Sequence, residues 1–355
     1  MCPATELDAL GVGIVATASY IPAPRVPLAA SSGYASATPT FPHDKREALM
    51  QSVYADTIRW RQIGCSAGST DAQDLTAVLC GGDIRTVAVE PELMLSDMAL
   101  HVARMLFSTA HGHSAAEAIT QIIVCQSSFE HELTHSCASH LHRELAQGNA
   151  PFAIGQLQGA SFLMALQIAI ALISTEAQPQ TVLIVAAERW RAPFSRTVGT
   201  LTALGDGAAA VLVQAGAQTG WIVRGISVRT PTGSRPTDHP LAWIDTATLV
   251  SVIRETCEQA GVSPAEIDWV LPAHLNLSLA RDITAQCGLS SERIVPDDVR
   301  SAGYLCSADT PARLDRLLRA IRPRCGQYIL TWSSGFQGQS ACALLQFRGG
   351  EHVHA

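Results

Sequence analysis

The chain has 355 residues, 47% of them apolar and 15% charged, enough apolar material for a sizeable core and too little charge for a disordered chain. Its 24 basic and 31 acidic residues give a net charge of −7. Lys45 is the sole lysine, and this balance supplies no basic footprint for nucleic acid.

The first residues, Met1-Cys2-Pro3-Ala4-Thr5-Glu6, lack the basic start and apolar stretch of a secretory signal. No run approaches eighteen uninterrupted apolar residues; Phe162 to Ile173, the longest candidate, contains Gln167. A cytoplasmic protein without a membrane span is expected. Residues 31–40, rich in Ser, Ala and Thr, predict a surface loop, and a helix is expected around His43 to Arg59.

The remaining elements follow in order. Leu95 to Phe107 predicts a helix leading through Ser114-Ala115-Ala116-Glu117 to a strand at Gln121 to Gln126. Val182 to Ala187 and Ala208 to Val213 predict paired apolar strands. After a Pro- and Thr-rich connection at Arg229 to Leu241 the pattern returns. A helix at Leu249 to Ala260 leads through Ser263-Pro264-Ala265-Glu266 to a strand at Asp268 to Pro272, then to paired strands at Tyr328 to Trp332 and Ser340 to Phe347. This faint duplication divides the chain near Ala215 to Trp221, into halves 8–217 and 218–350. It predicts an α/β fold layered α/β/α/β/α, because the central strands are apolar on both faces.

Ten scattered cysteines without a CxxC pair predict reduced, mostly buried thiols. His131, His135, His140 and His142 crowd one segment, but no HExxH occurs, and no metal site is expected. Arg189, Arg191 and Arg196 follow the strand at Val182 to Ala187 and are candidates to dock an acidic carrier protein, against the plainer reading of a solvated loop.

Pro151 to Leu166 has the frame of a nucleophile elbow: strand, tight turn, helix. Such a turn sets one side chain at a helix N-terminus, where the partial positive charge lowers a thiol's pKa and backbone N–H groups hold an oxyanion. The turn carries Gln158 and Gly159, and neither attacks a thioester.

Phe152 to Leu166 resembles the active-site segment of β-ketoacyl-acyl-carrier-protein synthase III (KAS III), a thiolase-fold family with a cysteine in a Cys-Ala-Gly-Phe-like turn. The resemblance runs from about Leu10 to Phe347. It includes Ile122 to Ser128 before the substrate loop, the strand Gly205-Asp206-Gly207-Ala208, the stretch Ile267 to Asn276 that delivers the family's histidine, and the terminal Gly335-Phe336-Gln337-Gly338 turn. It implies a five-layered thiolase-like body of two duplicated halves, with Thr181 to Ala187 and Tyr328 to Trp332 in two stacked sheets. Aligned back from the helix, Gly159 takes the cysteine's place; aligned forward from the strand, Gln158 does. Gly159 is preferred, since an added residue is absorbed more easily in a turn than in a packed helix.

The rest of the family's triad departs as well. Gap-free alignment through Pro272 and Asn276 sets Ala273 at the histidine position, with His274 one residue later, and a bulge at the strand end would be needed to restore it. Tyr304 stands where the family has asparagine. His274 is read as general base or carbonyl donor, against the plainer reading of a satisfied histidine beside the pocket. Tyr304 is read as its supporting donor. Ser161 is an alternative nucleophile, more commonly a cap or packing residue at a helix start, and N–H groups near Gly159 and Gly335, with Asn276, would hold the thioester.

The resemblance therefore implies an acyltransferase acting on a coenzyme A or acyl-carrier-protein thioester in specialised metabolite, polyketide or fatty-acid-type biosynthesis, without the usual cysteine. It implies a coenzyme A or phosphopantetheine thioester as substrate carrier, no permanently bound cofactor, and a homodimer or a heterodimer with a related subunit. The alternatives are a catalytically silent subunit beside an active partner, and a malonyl-thioester decarboxylase in which Gln158 donates its amide to the malonyl carbonyl.

Overall fold

The computed structural model describes residues 11–28, 84–109, 118–130, 134–145, 148–176, 180–191, 196–198, 201–217, 219–231, 244–296 and 299–349. The loop expected at 31–40, the helix at 43–59 and the connection over 232–241 lie outside the described residues.

The strands in chain order are β1 (Gly13–Tyr20), β2 (Arg25–Pro27), β3 (Thr86–Ala88), β4 (Gln121–Gln126), β5 (Phe152–Gly155), β6 (Thr181–Glu188), β7 (Thr197–Val198), β8 (Thr202–Ala203), β9 (Gly207–Gln214), β10 (Gly220–Arg229), β11 (Trp269–Pro272), β12 (Tyr328–Ser334) and β13 (Ser340–Arg348). The longer helices are α1 (Leu95–Phe107), α2 (Cys137–Leu145), α3 (Ala160–Thr175), α4 (Thr246–Ala260), α5 (Leu277–Gln286) and α6 (Asp309–Ala320). Among the described residues nine strands form one sheet in the order β11-β12-β13-β10-β1-β9-β6-β4-β5, and β2-β3 and β7-β8 form small ribbons.

This corrects the expectation that β6 and β12 lie in separate sheets. β1 begins with Gly13 and Ile14 paired on both edges, to Gln214 and Val213 of β9 and to Ile222 and Trp221 of β10. A register shift after Ile14 then leaves β1 with β9 alone, so a two-pair hinge joins two wings of a single ladder. The layering survives. Helices α3 and α6 pack against strands of both wings, α1 and α2 cover the outer face of the first wing, and α4 covers the second with α5 packed beside it.

Alternate residues of each strand feed different cores. Ile184, Val211, Ile329 and Leu345 point to the central layer with α3 and α6. Leu183 and Leu212 face α1, while Leu330 and Leu344 face α4. Burial on both faces explains why these strands read as continuous apolar runs. Helix α3 is apolar nearly all round, as a helix enclosed between two sheet faces must be. Asp315 of α6 accepts Thr17 Oγ1 at 2.8 Å and Ser19 Oγ at 2.6 Å, tying the central layer to β1.

The Gly-Asp-Gly strand start has a structural reason. Asp206 is fully buried and accepts the backbone N–H of Glu90 and of Trp190, each at 2.8 Å, and both Nη groups of Arg196 at 2.8 and 2.9 Å. One carboxylate thus gathers three loops at the end of the first wing. We expect Asp206→Ala to strand the half-buried Arg196 guanidinium and lower stability by about 3–5 kcal/mol, measured by denaturant unfolding.

Candidate active site

Strand β5 ends at Gly155, and three residues turn the chain into α3. Gln156 and Gln158 both take positive φ, 63° and 47°, in this turn. The chain therefore absorbs length here with two left-handed residues, at the place where the sequence calls for an added one. Gly159 then caps α3 in ordinary helical geometry, φ −61° and ψ −24°.

Gln158 is buried, and its Oε1 accepts the backbone N–H of Phe336 at 3.0 Å. The expected donor Gly335 is engaged elsewhere, since its N–H reaches Gln339 O at 2.8 Å; the N–H that faces the elbow is the next one. Gly335 has a different task. A Cβ there would meet Leu157 O at 2.8 Å, so only glycine lets the terminal turn approach the elbow.

Gly159 has no room for a side chain. A Cβ would lie 2.1 Å from Ser333 Oγ and 2.2 Å from Tyr304 Oη. The side chain that the turn presents is that of Gln158. Tyr304 and Ser333 are fully buried side by side over Gly159, and no other group among the described residues bonds to either hydroxyl. Burial, chiefly, pushes the Tyr304 pKa well up, so the phenol keeps its proton.

At the strand end Ala273 and His274 have different surroundings. Ala273 shares a buried apolar cluster with Tyr304, Phe336, Leu204 and Trp190. The His274 backbone N–H instead donates to Asp309 Oδ2 at 2.8 Å, and its ring Nδ1 lies 3.9 Å from Asp309 Oδ1 at the start of α6. Its Nε2 is buried without a hydrogen-bond partner among the described residues. Asp309 favours a charged ring, but burial first, then Arg313 and Arg316, outweigh it and hold the imidazole well below its ordinary pKa. The geometry brings Gln158, Gly159 and Tyr304 together and sets the His274 ring beside α6.

Asn276 is the N-cap of α5: its Oδ1 accepts Leu279 N–H at 3.1 Å and its Nδ2 donates to Leu201 O at 3.3 Å, so its amide is occupied in holding the helix. Ser161 is fully buried in the first turn of α3, its Oγ without a hydrogen-bond partner among the described residues. Of the three candidate docking arginines, Arg189 is buried against Glu90 O and Pro91 O, and Arg196 is clamped on Asp206; only Arg191 is exposed. That cluster is structural and offers no joint docking surface. The described cysteines Cys125, Cys137, Cys257, Cys287, Cys306 and Cys342 are buried and Cys325 is exposed, all as free thiols. Among the described residues no group of three or more His, Cys, Asp or Glu is placed to hold a metal, and no helix is long and apolar enough to cross a membrane.

Two contributors escaped the sequence reading. Ser333 is one; its only signal was the pair Ser333-Ser334 closing an apolar strand ahead of Gly335. Glu188 is the other. Fully buried at the end of β6, it accepts Ser127 N–H, Ser128 N–H, Ser307 N–H and Ser307 Oγ at 2.9, 2.7, 3.1 and 2.6 Å, and burial pushes its pKa up. It binds the loop after β4 to the turn that follows Tyr304.

Residues 156–231 match the family described as 3-oxoacyl-[acyl-carrier-protein (ACP)] synthase III, and residues 257–347 match its C-terminal part. The chain is 27% identical over 268 residues to a beta-ketoacyl-[acyl-carrier-protein] synthase III of Bordetella petrii, covering 68% of this chain and 78% of that one. A counterpart from Thiobacillus denitrificans is 24% identical over 282 residues, 74% and 87% of the two chains. Among solved structures, 3-oxoacyl-[acyl-carrier-protein] synthase III of Aquifex aeolicus superposes with a TM-score of 0.71 at 19% identity, over 95% of this chain and 100% of that one. ChlB3, named as an acyltransferase, gives 0.71 at 18%, over 96% and 99%. At these identities the structural likeness carries the fold alone.

Two outcomes follow from this geometry. Gly159→Ala should cost about 1–3 kcal/mol through overpacking against Tyr304 and Ser333, read by chemical denaturation. For His274 the unfolded chain binds a proton near pH 6.5 and the folded chain does not, so stability is complete above that pH and falls as pH drops below it. His274→Gln should flatten the fall in melting temperature between about pH 7 and pH 5.

Proposed function

For a KAS III-like protein of the thiolase fold, which this chain is, we propose acyl transfer from a coenzyme A or acyl-carrier-protein thioester without an acyl-enzyme intermediate. The observation that carries the reading is the elbow itself. Gln158 presents an amide where covalent catalysis needs a thiol, its oxygen rests on the Phe336 N–H, and Gly159 beside it admits no side chain. An amide is not a nucleophile, so the acyl group would pass straight to the acceptor. His274 is not given the role of base, because its ring faces Asp309 and its basicity is depressed. Without a base at the elbow among the described residues, the acceptor in this reading brings its own lone pair, as an amine does.

Direct transfer asks the protein for positioning and for neutral hydrogen-bond donors at the carbonyl. Tyr304 Oη and Ser333 Oγ fit that part. The reading includes two duplicated halves over 8–217 and 218–350, supported by the similar strand orders of the two wings. It also includes a dimer joined along β5. That strand ends the sheet with one edge unpaired among the described residues, and Phe152 on it is 36% exposed, a large apolar side chain facing solvent. The reading places the chain in specialised metabolism, because it puts Gln158 and Tyr304 where the family has cysteine and asparagine.

Intact-mass spectrometry after incubation with an acyl-coenzyme A series tests the reading. The natural chain should show no acyl adduct yet release coenzyme A when an amine acceptor is added. Gln158→Cys should acquire a stable acyl adduct mapping to residue 158, because the helix N-terminus lowers the new thiol's pKa. An adduct on Ser161 or on a native cysteine would remove the non-covalent mechanism.

A further inference from the structure

We draw no further inference here: the strongest candidate, the side-chain cluster of Ser96, Asp97, His135 and His140 where α1 meets α2, is not placed to hold a metal among the described residues, and its serine hydroxyl is buried with nothing in the structure to bring a substrate to it.

Discussion

The site depends on one close approach of backbone to side chain. The start of α3 is driven so far into the end of β12 that Gly159 touches Ser333 and Tyr304 with no space for a methyl group, and Gly335 comes within the same reach of Leu157 O. This contact is possible because α3 is enclosed between the two wings and buried on nearly every side. The wings hold it through alternating residues of continuous apolar strands, and Asp315 fastens the companion helix α6 to β1. The helix N-terminus, the end of β11 and the terminal turn are then brought together by packing rather than by local preference.

Charge is arranged around the elbow and kept out of it. Asp206 is met by Arg196 and two backbone N–H groups, Glu188 by the amides of Ser127, Ser128 and Ser307, and Asp309 by the N–H groups of His274 and Leu305. Each buried acid anchors a loop that borders the site, which is how a low-dielectric interior tolerates it. The elbow is left with neutral groups alone among the described residues. The Gln158 side chain at the start of α3 is itself neutral, and its oxygen accepts the Phe336 N–H of the terminal turn.

Much of this was legible in the sequence, for reasons that are local. The helix at Leu95 to Phe107, the strand at Gln121 to Gln126 and the pairing of β6 with β9 and β12 with β13 follow from periodicity and apolar runs, and the structure has them there. The elbow was legible as strand, turn and helix. What was hidden depends on contacts distant in sequence. No pattern near Gly159 reveals that Ser333 and Tyr304 press on it. His274 and Ala273 differ by one residue, and only the position of Asp309 on α6 fixes which faces which way. Arg189 and Arg196 read as a basic cluster because Asp206, the acid that claims one of them, belongs to a strand motif with its own explanation. The continuity of the sheet turned on two residue pairs at Gly13 and Ile14, too few to leave a sequence signal.

Gln158 sets backbone strain against a buried hydrogen bond. A non-glycine residue at φ 47° costs roughly 1–2 kcal/mol relative to ordinary backbone, and glycine would remove that cost. What glycine would lose is the bond from Phe336 N–H, a buried donor that would otherwise have no acceptor from this turn. The strain and the bond are therefore comparable in size and opposite in sign, and the turn keeps its left-handed Gln158 because the side chain answers a donor held on a turn distant in sequence.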